Sequence, residues 1–180
     1  MTTWNESFLA LFDRCTSLYQ KGNHDFTTYY SADDLAFLAS IGCKQREFFD
    51  FIEDFCEDGA PSPSTTLLIA AVRRDYLLTH PESATPARLL TRDDIPTFGD
   101  TLNGIPYLPR ILAKARAKLR GELDPDLMFA CGGDRKFLRT HGNIHPADFL
   151  RHVWAAGNND HAIADLLSAS SPPSHSPRPL

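Results

Sequence analysis

Four groups of residues in this 180-residue chain have types and spacings that chemistry needs. Cys131-Gly132-Gly133-Asp134 sets a thiol beside two glycines and a carboxylate. The glycines allow a tight turn with exposed backbone N–H groups. A helix N-terminus following a thiol favours its nucleophilic form. Cys131 is therefore a candidate nucleophile and Asp134 a second catalytic candidate. The same N–H groups suit an anion, although Asp134 as an N-cap would use them itself. A buried cysteine, a glycine turn and a capping aspartate read the same residues without function.

The segment 107–120 (YLPRILAKARAKLR) carries five bases and no acid. On a helix, Arg110, Lys114 and Lys118 form one basic ridge, Arg116 and Arg120 a second, and Leu108, Leu112, Ala115 and Leu119 an apolar stripe. Such a ridge can hold phosphate or carboxylate, and Arg110 and Lys114 are the candidate ligand-binding residues. Arg110 opposes the helix dipole from the first turn and so requires a partner. The alternative is a solvated face, or ion pairs with acidic helices elsewhere.

His141 and His145 have the spacing of a helical metal pair, but Gly142 and Pro146 interrupt any helix there, and no metal is expected. His145 is a candidate general acid or base, or simply the cap of a helix starting at Pro146. His152, beside Phe149 and Trp154, reads as a structural histidine, with His161 further on. Arg73, near the end of an apolar helix, needs a partner when buried. Glu47, Asp50, Asp54 or a ligand carboxylate would serve. Nucleotide loops and the Gly-x-Ser-x-Gly elbow are missing, and no cofactor is expected.

These groups sit on a chain whose signals are helical throughout. Capping pairs and glycine stops bracket helices at about 4–21, from Ser31 to before Gly42, and at 44–57 up to Gly59. In the third, Phe48, Phe51, Ile52 and Phe55 face one way, and Glu47, Asp50, Glu53, Asp54 and Glu57 decorate the rest. The stretch 64–78 is the most hydrophobic and is expected at the centre. Residues 81–106 hold four prolines and read as a structured connection. Helices follow from Pro109 to Arg120, briefly after Asp124-Pro125, after Asp134 as cap, from Pro146, and from Asn159 or Asp160 to about Leu167. No strand is evident. The fold class is all-α: one domain over 1–167, with an acidic half 1–80, a connection 81–106 and a second half 107–167. A Ser/Pro-rich tail, 168–180, is expected to be disordered.

Composition bounds the function further. Residues 1–60 hold 11 acids against 4 bases, whereas 61–180 hold 12 against 14, so an acidic end faces a locally basic segment. The overall charge of −5 and the lack of aromatics within the basic run argue against nucleic acid. No apolar run is long enough for a membrane helix, and the N-terminus does not read as a signal peptide. Four cysteines without zinc-site spacing suit a reducing, cytoplasmic compartment.

Leu108-Pro109-Arg110, Lys114, Arg116, Gly121, Cys131-x-x-Asp134 and Phe137 together resemble a bacterial family of domains of unknown function, numbered fifty sixty-nine. The resemblance covers about 104–167, leaves out the tail, and is weaker over SIGCKQREFFDFIED and AVRRDY. It implies a small, mainly helical bacterial protein, and it implies no activity. Two functions stay open. One is an enzyme or binder for a small anionic metabolite, with Cys131, Asp134 and His145 catalytic and Arg110, Lys114 and Arg73 holding the ligand. The other is a protein-interaction domain that docks on a basic protein through the acidic, Phe-rich helix 44–57, or a chain that forms a homodimer.

Overall fold

Local capping sets most helix starts. Thr3 donates through its N–H and its hydroxyl to Glu6 (both 2.7 Å), opening α1 (Trp4–Gln20). Ser31 and Asp34 exchange the same bonds at α2 (Ala32–Ser40). α3 (Gln45–Asp58) ends at Gly59, whose φ of 71° few other residues adopt. Ser62 accepts from the Thr65 N–H (3.2 Å) and Pro63 begins α4 (Pro63–Thr79). α5 (Leu108–Arg120), α6 (Gly132–Thr140), α7 (Pro146–Ala156) and α8 (Asp160–Ser170) complete the helices of this computed structural model, which describes residues 2–170. The all-α reading holds.

α4 packs on α1, α5 and α7, the central place its composition predicts. Phe8, Phe12, Phe48 and Phe49 fill the core where α1 meets α3, with Phe8 and Phe48 edge to face at 5.2 Å. Leu108, Leu112, Phe129, Phe149 and Leu150 continue it between α5 and α7. The phenylalanine side of α3 is therefore spent on the core.

Along the connection and at the C-terminal end the structure departs from the sequence reading. Thr101–Leu102 (β1) and Ile105–Pro106 (β2) pair as a small antiparallel hairpin. Asn103 and Gly104 both take positive φ, 50° and 76°, the signature of a tight hairpin turn that Asn-Gly favours. Residues 124–130 form a turn rather than a helix, with the Leu127 N–H donating to the Asp124 carbonyl (2.9 Å). Leu123 is tied there in a bridge to Leu90, which holds the chain extended. α8 runs through 168–170, so that part of the expected tail is helical; 171–180 lie outside the described residues.

Asp50 on α3 gives the fold a pH dependence. Burial raises its carboxyl to about 7, against the pull of Arg46 at 3.0 Å. A carboxyl raised on folding stabilises the fold while it is protonated. Stability from this group is full below about pH 4 and declines as the pH rises toward 7. Asp50→Asn removes the dependence. Urea unfolding should show the variant about 1–3 kcal/mol more stable than the parent at pH 8, with little difference at pH 4. An equal difference at both pH values would contradict this.

Candidate functional site

α5 has two differently used basic sides. Successive helical residues turn by about 100°, so Lys114 and Lys118 share one side, while Arg116 and Arg120 share another. Neither lysine is solvated: each is 3% exposed. Lys118 is paired with Glu47 of α3, which is buried with it rather than decorating the surface. Lys114 extends the other way, to Asp134 of α6 at 2.6 Å. Charge attraction between the acidic and basic parts of the chain thus operates inside the fold through Lys118 and Glu47, and Arg135 with Asp54 (2.7 Å) adds a second such link, from α6 to α3.

Lys114 also brings two sequence candidates together. Its Nζ donates to Cys131 Sγ at 3.3 Å while pairing with Asp134. Cys131 is the N-cap of α6, half-buried, and its side chain makes no capping bond. Gly132 and Gly133 are exposed and already helical, where a loop was expected. Asp134 is therefore the third residue of α6 and not its cap. A Cβ placed on Gly133 would lie 3.9 Å from Cys131 Sγ, so the sulfur rests over the first turn of the helix. The first N–H groups of a helix have no partner within it. Helix end and ammonium both place positive potential beside that sulfur.

Asp134 is fully buried and saturated. Besides Lys114 it accepts from the Tyr107 hydroxyl (2.8 Å) and the Ala130 N–H (2.9 Å). Burial pushes the Tyr107 phenol up, and the Asp134 carboxylate pushes it further, so Tyr107 acts as a neutral donor. Tyr107 and Ala130 hold positive φ, 71° and 67°, unusual for residues with a Cβ. The surrounding bonds hold this strain: the Ala130 N–H donates to Asp134 and its carbonyl accepts from Arg135 (2.9 Å). Tyr107 was missed in the sequence. Its only signal was its place directly before Leu108-Pro109.

The other thiols differ. Burial pushes Cys15 up to about 12, and it also raises Cys43 and, less buried, Cys56. All four cysteines are free.

The remaining candidates lie elsewhere. Arg110 donates to the Pro96 carbonyl (2.8 Å) and its guanidinium sits 4.3 Å from the Phe98 ring, so the partner its position demands is the 81–106 connection. Arg73 is 2% exposed and meets no carboxylate directly. Its two terminal nitrogens donate to the Ser83 hydroxyl and carbonyl (both 2.9 Å), while Nε has no partner. Burial lowers its pKa, against the pull of Glu47. His145 caps α7, accepting from the Ala147 N–H (3.2 Å), with Thr65 on its other nitrogen. It does not touch the Cys131 cluster. His141 stacks on Phe137 and His152 is exposed. Among the described residues, no group of three or more His, Cys, Asp or Glu side chains is placed to hold a metal ion.

Residues 97–179 match the model of a family described as Domain of unknown function (DUF5069). The resemblance carried by Leu108-Pro109-Arg110 and Cys131-x-x-Asp134 is thereby shown over that segment. The match reaches further into the tail than those residues suggested, and it leaves out the earlier segments around Cys43 and Arg73. Tyr107, Lys114, Cys131 and Asp134 all fall inside it. No curated protein and no solved structure matches the chain significantly.

Proposed function

We propose that the chain is a thiol-dependent enzyme or covalent binder for a small anionic electrophile, with Cys131 as its nucleophile. The observation that carries this is the buried Lys114 ammonium 3.3 Å from the sulfur of a partly buried cysteine at a helix N-terminus. Attack by sulfur forms an S–C bond, the thiol proton passes to solvent, and the leaving group departs with its electron pair. Lys114 lies beside the negative charge involved, at the N-terminal end of α6. Asp134 and Tyr107 are positioning residues: they fix the ammonium against the sulfur. Arg73 and Arg110 are not assigned to this site: the terminal nitrogens of Arg73 donate to Ser83, and Arg110 donates to the Pro96 carbonyl. A cytoplasmic, bacterial setting fits four unpaired thiols and the family-like segment. No helix among the described residues is long and apolar enough to cross a membrane.

Brief iodoacetamide treatment of the native protein, quenched and mapped by peptide mass, tests the reading. Cys131 should be labelled first, Cys56 more slowly, and Cys15 and Cys43 only on unfolding. Labelling of Cys56 ahead of Cys131 would overturn it.

A further inference from the structure

On the arginine side of α5, away from Cys131, the C-terminal ends of α4, α5 and α7 line an open pocket of about 270 Å³. Its walls are aromatic. Tyr76 and His80 stack at 4.2 Å with ring planes 13° apart, and Trp154 meets Tyr76 edge to face at 5.2 Å. Leu119 adds an apolar, buried surface. Among the described residues, the only charged side chains in the lining are Arg116 and Arg120, and no carboxylate lines it.

The two arginines are held differently. Arg116 is fixed, with Nε on the Gly157 carbonyl (3.0 Å) and its fork on Asp160. Arg120 has a single carboxylate neighbour, Glu122 at 3.0 Å through Nε, and its side chain is 47% exposed. An exposed pair of this kind contributes little, so the terminal nitrogens of Arg120 can turn to a ligand without a large loss.

We propose that this pocket binds a single-ring aromatic carboxylate. The ring packs against Trp154 and the Tyr76–His80 stack, and the carboxylate takes the two-pronged face of Arg120. The volume lies just under the roughly 300–1,000 Å³ of sites for larger ligands, which suits one ring. Three helices end here with their carbonyls, which oppose a doubly charged phosphate more than a singly charged carboxylate.

The chain has two tryptophans, so Trp4→Phe leaves Trp154 as the sole indole reporter. Titration of that variant with benzoate or phenylacetate should change Trp154 emission saturably, at ~1 mM or tighter. Calorimetry on the unaltered chain should return the same constant. Arg120→Gln should weaken binding about tenfold with its circular dichroism unchanged. Neutral benzamide and inorganic phosphate should not bind. The proposal is overturned by a lack of saturable binding of both acids, by equal binding of benzamide or phosphate, or by an Arg120→Gln variant that binds benzoate as the parent does.

Discussion

Gly121→Ala is expected to cost about 3–5 kcal/mol, enough to unfold a marginal domain. Gly121 sits at the end of α5 with φ 71°, and a Cβ there would lie 2.4 Å from the Ser83 carbonyl oxygen. It would also lie 2.9 Å from an Arg73 terminal nitrogen. Three costs add. A side chain in the left-handed region costs about 1–2 kcal/mol. Forcing backbone apart in a packed interior costs about 1–3 kcal/mol. Moving Ser83 also weakens both hydrogen bonds of Arg73, a buried cation with no carboxylate beside it and one nitrogen already unpaired. Gly22→Ala is the control. Its φ is 86°, but nothing lies within 4 Å of the added Cβ, so only the first cost applies. Urea midpoints at equal m-values should separate the two variants by at least about 2 kcal/mol. Two variants of equal stability would contradict the packing of Arg73 between the glycine at 121 and Ser83.

Asp134→Ala should be of similar size, about 3–5 kcal/mol, because it strands a buried ammonium. Lys114 is 3% exposed and cannot reach water, and the Tyr107 hydroxyl and Ala130 N–H lose their acceptor at the same time. If the loss arises from the stranded charge, removing that charge should recover part of it. Lys114→Met combined with Asp134→Ala is therefore expected to be more stable than Asp134→Ala alone. The coupling should reach about 1–3 kcal/mol in a double-mutant cycle. Strict additivity would mean that the pair contributes nothing to the fold.

Much of the fold was legible because helix signals are local. Thr3 with Glu6, Ser31 with Asp34, and Ser62-Pro63 each fix a helix start within four residues. The Asn103-Gly104 hairpin was equally local and was passed over among the prolines of 81–106. What could not be read were partners far apart in sequence. Lys114 and Lys118 follow the pattern of a solvated ridge, and only the approach of α6 and α3 buries them against Asp134 and Glu47. Arg73 announced its need for a partner, yet Ser83 of the connection supplied it in place of an acid on α3. Asp134 looked like a cap because paired glycines suggest a loop. In the fold both are helical and Cys131 takes the cap position, which sets the sulfur beside Lys114.

The reading of Cys131 rests on a positive environment around its sulfur. The most direct measurement compares the rates at which iodoacetate and iodoacetamide modify Cys131 in the native protein, each relative to its rate with a free thiol such as glutathione. Lys114 and the α6 N-terminus attract the anionic reagent. The predicted result is a relative preference for iodoacetate of about tenfold at low salt, shrinking as salt is raised. A ratio equal to that of the free thiol, or one favouring the neutral reagent, would contradict the account.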